Sequence, residues 1–200
     1  MNSQRMSIAE YRAMGNTSHK NADRAYTAYV SSAAGRNFEN EILTACEYYK
    51  LSKKAVINKV NEPYIVLFKY EGGKFLGRHT AAAEPDFKGV LKGGRAIAFE
   101  AKSTGKSRIQ KSAVTEDQGR WLQEQYEMGA VTFVCICIRD RFFSVPWVVW
   151  RDMKNIFGKK YLMPADIVQY EVPYRNGVMF LEYKNLPFEA LYEMVGDARE

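Results

Sequence analysis

Apolar residues recur at helical spacing through "GRNFENEILTACEYYKLS": Phe38, Ile42, Cys46 and Tyr49 fall on one face. The spacing predicts an amphipathic helix over residues 36–51, with Gly35 and the serines before it as start signals. The pattern then turns β-branched and aromatic, and "AVINKV" and "YIVLFKY" read as strands. "EGGK", at 71–74, supplies the paired glycines of a hairpin turn, and "FLGRHTAAA" returns from it. "DFKGVL", a "KGG" turn at 92–94 and "RAIAFEAK" make a second hairpin. "TEDQGRWLQEQYEMG" is a helix: Thr115 caps it, Gln118 stands three residues later, and Gly129 closes it. "AVTFVCICI" is almost wholly apolar, as a strand buried on both faces would be. "FFSVPWVV" follows a charged "RDR" turn, a short helix is expected near 147–157, and "DIVQYEV" and "GVMFLEY" are two more β-like runs. This order predicts an α/β fold with a mixed central sheet flanked by helices.

Residues 1–34 break the pattern. They are polar and rich in Ala and Ser, and they read as a flexible arm ahead of a single domain at 35–200. No apolar run reaches the roughly 20 residues that span a bilayer, and the first residues lack the apolar core of a secretory signal. A soluble, cytoplasmic protein with no membrane partner is the expectation. The three cysteines, Cys46, Cys135 and Cys137, sit in apolar context without zinc spacing and read as reduced thiols in the core. With His19 and His79 the only histidines, histidine-based nucleophilic chemistry is disfavoured.

Charge adds a partner. The net charge of +6 favours a polyanion. Its distribution says more: Lys102, Lys106, Arg108 and Lys111 fall within a stretch that contains no acid. This basic loop would suit a phosphate backbone.

The strand "RAIAFEAK" carries the chemistry. Alternation sends Ile97, Phe99 and Ala101 to one face and Ala98, Glu100 and Lys102 to the other. A hairpin brings Asp86, on or near the partner strand, beside Glu100, and Glu84 lies one pleat further. Two carboxylates at that range repel unless a cation bridges them. Mg2+ prefers oxygen ligands and keeps several waters. A lysine beside it orients water or stabilises charge on a phosphoryl oxygen. Acid pair, cation and lysine together suit phosphodiester hydrolysis; the plainer reading is a hairpin with a surface Glu–Lys pair.

Pro85-Asp86 followed by Glu100-Ala101-Lys102 resembles the P-D…(D/E)-x-K signature of restriction-endonuclease-like nucleases. Over residues 35 to about 185, the first helix, the "DFKGVLKGGRAIAFEAKST" hairpin, "TEDQGRWLQEQYEMGAVTFVCI" and "PADIVQYEVPYRNGVMFLEY" resemble the RecU family of Holliday-junction resolvases. The resemblance implies a restriction-endonuclease-like fold with a protruding β-hairpin stalk, near 60–82 here. It also implies a homodimeric endonuclease that cuts four-way DNA junctions with paired symmetric nicks, using Mg2+, or Mn2+ in its place.

By the same resemblance, Asp86, Glu100 and Lys102 are catalytic, and Asp86, Glu100 and Gln118 hold metal. Glu84 stands where the family has threonine and joins the metal candidates. The family's Asn-Arg-Gly before the first helix is Ala33-Ala34-Gly35 here, with Arg36 displaced by one. Glu39 matches a family glutamate that either reaches the metal through water or is a solvated helix charge. The expected DNA contacts are Arg36, Lys69, Lys74, Arg78, Lys106, Arg108 and Lys111. The first helix and the C-terminal runs, with Tyr170, Val172, Tyr174 and Phe180, are expected to form the dimer surface. The alternatives are a duplex or repair nuclease of the same superfamily, and a DNA-binding recombination accessory without nuclease activity.

Overall fold

The helical spacing of Phe38, Ile42, Cys46 and Tyr49 places all four in the core, on a helix over residues 37–51 (α1). The structure, a computed structural model, describes residues 35, 37–61, 64–73, 75–79 and 84–185. The expected arm at 1–34 lies outside them.

Five strands form one sheet: β1 (Ala55–Lys59), β4 (Phe87–Leu91), β5 (Ala96–Thr104), β7 (Val131–Ile138) and β8 (Arg141–Pro146), in the order β1-β4-β5-β7-β8. The β5–β7 pair is parallel and the other three are antiparallel, so the sheet is mixed as the sequence implies. Helix α2 (Glu116–Glu127) joins the parallel pair. Two short helices, α3 (Trp147–Arg151) and α4 (Met153–Phe157), follow β8. Trp147 Nε1 donates to Gln123 Oε1 at 2.7 Å, and Arg151 Nη1 donates to the same oxygen at 3.0 Å, which ties α3 to α2.

β5 is central, and its two faces differ as alternation requires. On one face Phe99 stacks between Phe87 of β4 and Phe133 of β7, with ring centroids 4.9 and 4.5 Å away. Phe180 and Tyr49 close this layer, with their centroids 5.1 Å apart. The other face carries Ala98, Glu100 and Lys102. Where β4 meets β1, Gly89 permits close approach: a Cβ there would lie 2.1 Å from the carbonyl oxygen of Val56.

Among the described residues, β2 (Tyr64–Lys69) and β3 (Phe75–His79) pair only with each other, around a tight turn at Glu71–Gly73. This hairpin is therefore a sheet of its own within the range expected for the stalk. Val66, Leu67, Phe68, Tyr70 and Leu76 are exposed on it. A third small sheet pairs β6 (Ile109–Gln110) with β9 (Tyr161–Leu162), inside what the sequence reads as loop.

The C-terminal runs depart from expectation. Val168–Tyr170 is a 3-10 turn, and the chain beyond it makes isolated bridges, Phe143 with Glu171 and Tyr174 with Val178. Tyr170, Val172 and Phe180 are core residues, and only Tyr174 is substantially exposed. The apolar density expected to serve a partner chain instead covers the protein's own sheet. Cys46 and Cys135 are buried and all three thiols are free. Among the described residues, no helix is long and apolar enough to cross a membrane.

Candidate active site

Register explains how Asp86 meets Glu100. β4 pairs with β5 so that Phe87 faces Phe99, which sets Asp86 at the strand entry across from Glu100. The Ala101 N–H donates to Asp86 Oδ2 at 2.8 Å, and the Val60 N–H donates to the Asp86 carbonyl at 2.8 Å. Asp86 is thereby held between the end of β1 and the middle of β5.

Glu100 is fully buried. Lys102, two residues on and on the same face, puts its Nζ 2.7 Å from Glu100 Oε2 and 3.8 Å from Asp86 Oδ2. Gln118 Nε2 donates to Glu100 Oε2 at 2.7 Å. The protein's contacts therefore fall on one oxygen of each carboxylate, and Glu100 Oε1 is buried with no hydrogen-bond partner. Burial pushes the Glu100 carboxyl up to about 7; the charge of Asp86 adds to this and Lys102 opposes it.

These features fit a hard divalent cation. A buried, unpartnered carboxylate oxygen and two mutually repelling acids are both relieved by bound positive charge. Among the described residues, no group of three or more His, Cys, Asp or Glu side chains gathers to hold a metal.

The other candidates fall in several places. Glu84 pairs with Lys88. Glu39 on α1 is partly exposed and pairs with Lys59 at the end of β1. The Gln118 side-chain carbonyl accepts the Thr115 N–H at 3.1 Å, which leaves the amide NH2, not the oxygen, against Glu100. Lys69 and Lys106 are exposed. Arg108 lies over the Tyr161 ring, 4.5 Å from its centroid. Lys111 turns its ammonium to the Arg151 carbonyl and is half-buried. Arg36, Lys74 and the side chain of Arg78 lie outside the described residues.

Sequence reasoning missed Lys59, whose pairing with Glu39 bridges α1 and the sheet edge. The capping signal at Thr115 and Gln118 was visible, but the second bond that Gln118 makes was not. A cleft of ≈ 1020 Å³ lies apart from the carboxylates, between α1 and the ends of β5 and β7, lined by Asn37, Ser103, Lys106, Arg139 and Tyr174 among others.

Residues 33–185 match the family model of RecU, recombination protein U. None of the curated proteins matches the chain. Among solved structures the chain is similar to Hjc, a Holliday junction resolvase from the archaeal hyperthermophile Archaeoglobus fulgidus. That similarity has a TM-score of 0.42 and 15% identity, covering 66% of this chain and 91% of that one.

Proposed function

The chain belongs to the RecU family, recombination protein U, and on that footing we propose that it is an endonuclease that resolves four-way DNA junctions with a divalent cation, Mg2+ foremost and Mn2+ as a substitute. The observation that carries the reading is the convergence of Asp86 and Glu100 beside Lys102, with one oxygen of buried Glu100 left without a protein partner.

Asp86 and Glu100 would hold the cation. When bound, it would polarise a phosphoryl oxygen and lower the pKa of a coordinated water. Hydrolysis adds the oxygen of water to phosphorus and breaks one P–O ester bond. Lys102 has its ammonium fixed beside both acids, where it donates to the phosphoryl oxygen on which negative charge grows. The Ala101 N–H fixes Asp86, and Gln118 fixes Glu100, so neither acid needs to reorganise as the substrate arrives. Lys69, Lys106 and Arg108 supply phosphate contacts that give affinity without choosing a sequence. Glu84 joins the cation only by leaving Lys88. The exposed hairpin is the part suited to the open centre of a junction. A homodimer, one site per copy, would make the paired nicks, because two-fold symmetry matches opposed strands.

The test is a labelled four-way junction and a linear duplex of the same sequence, each incubated with and without Mg2+. Wild-type protein is expected to nick the junction symmetrically only with the cation. Asp86→Asn and Glu100→Gln should bind the junction without cutting it. Cleavage retained by either variant sinks this active site, and equal cleavage of duplex and junction makes the protein a general nuclease. No cleavage at all, with tight binding, leaves an accessory binding protein.

A further inference from the structure

Helix α2 begins beside the carboxylates, and its cap is built from the residue that touches Glu100. Thr115, the N-cap, is extended, with φ −70 and ψ 165. Its hydroxyl oxygen accepts the Gln118 backbone N–H at 3.3 Å, and its own N–H donates to Gln118 Oε1 at 3.1 Å. This reciprocal pair is a capping box. The Gln118 amide is planar, so fixing its carbonyl also fixes its NH2. That NH2 donates to Glu100 Oε2 at 2.7 Å.

Two consequences follow from the chemistry of the amide. A capping box accepts Glu or Gln at this position equally well. Only Gln can cap the helix with its oxygen and also donate to a carboxylate; Glu would set a third acid against Glu100. The group that Gln118 turns to the acids is a donor, and a donor does not ligate a cation. Lys102 meets the same oxygen, Oε2, from its own side, at 2.7 Å. Both contacts together prevent the Glu100 carboxylate from rotating about its last, broad torsion and exchanging its oxygens. Oε1 is the oxygen left over, and it is buried and unpartnered.

We propose that Gln118 is a positioning residue rather than a cation ligand, and that Thr115, through the helix cap, sets the amide that orients Glu100 toward the cation. Thr115 is exposed, and its N–H and hydroxyl both bond to Gln118, so the route from it to the site runs through Gln118. The inference rests on the reading of Asp86 and Glu100 as the cation site. Partners that orient a metal-binding side chain are worth about 10–100-fold in affinity or activity.

Two measurements test it on the full-length protein. In the first, 15N-labelled wild-type protein is titrated with Mg2+ in the absence of DNA. The Thr115 backbone amide should stay protected from hydrogen exchange at saturating Mg2+, and the Gln118 side-chain NH2 should keep its hydrogen-bonded shift. Loss of protection at Thr115 on saturation means that the carbonyl has left the cap to ligate, and overturns the proposal. The second compares Thr115→Val with Thr115→Ser by Mg2+ calorimetry and junction-cleavage kinetics. Valine removes the hydroxyl acceptor and should weaken Mg2+ binding by about 10-fold. It should also lower kcat with little change in the KM for junction, and serine should restore both. A valine variant with a lowered melting temperature but unchanged Mg2+ affinity reduces the cap to a structural part and overturns the proposal. Calorimetry and exchange need no substrate, so they still read the positioning if the wild-type protein fails to cut junctions. Failure of the wild-type protein to bind Mg2+ overturns both the proposal and the cation site.

Discussion

Lys102 stands 2.7 Å from one acid and 3.8 Å from the other, on the strand that carries Glu100. In the proposed mechanism its role is separable from holding the cation. Lys102→Ala should keep Mg2+ and junction binding and lower the single-turnover cleavage rate by roughly 10²–10³. Lys102→Arg should not restore the rate, because a planar fork cannot occupy the position of a point charge. An unchanged rate in Lys102→Ala would make the lysine a counter-charge and nothing more. At this scale much of the arrangement was legible. Period-two alternation is enough to put Glu100 and Lys102 on one face, and a hairpin is enough to bring Asp86 across. The partners of the remaining acids were not legible. Glu39 finds Lys59 on a strand edge through tertiary placement that no local pattern records, and Glu84 finds Lys88 four residues on. The direction of the Gln118 amide depends on the cap as well as on the residue.

Elements were predicted where periodicity and turn chemistry agreed. The capping box of α2, the Lys92–Gly94 turn and the apolar run of β7 are all local signals. The C-terminal runs misled because a continuous apolar stretch records burial and not hydrogen-bond pairing. Phe180 is buried against Phe99 of β5 and Phe133 of β7, and among the described residues the segment makes isolated bridges rather than a ladder. The β1–β4 contact offers a test at this scale. Gly89→Ala puts a methyl group where the Val56 carbonyl already sits, and backbone cannot yield as a flexible side chain does. The variant should lose about 1–3 kcal/mol or more of stability, read by urea unfolding; a loss below the error of the measurement would mean that the strands separate freely there. The β2–β3 hairpin predicts the opposite balance. Phe68 and Tyr70 are exposed and touch each other, with centroids 5.1 Å apart. Replacing both with Ala should leave the melting temperature nearly unchanged and reduce junction cleavage more than any duplex nicking. Equal loss on both substrates would assign the pair to general DNA affinity.

For the whole molecule, the C-terminal segment is clamped to the sheet by charge as well as by packing. Glu171 bridges to Phe143 of β8, pairs with Arg141, and accepts from Lys184 Nζ at 2.8 Å. The hydrogen bond from Arg141, aided by Lys184, holds the Glu171 carboxyl below the usual range. Such a group adds stability that is present above the unfolded glutamate pKa, about 4.3, and is lost as pH falls through the folded value. Both cations are partly exposed, so water screens the effect. The stability gap between wild type and Glu171→Gln should be largest above about pH 5 and should close on acidification. A gap independent of pH would deny the clamp its charge. The unpartnered oxygen of Glu100 has a consequence of a different kind: the inactive protein should outlast the active one. Glu100→Gln keeps an acceptor for Gln118 and Lys102 and can turn an NH2 toward Asp86, removing both a buried orphan and a like-charge contact. In chelator, it should unfold later than wild type by about 1–3 kcal/mol, and an equal or lower midpoint would refute this. Selection for cleavage would then have kept this domain below the stability its own backbone allows.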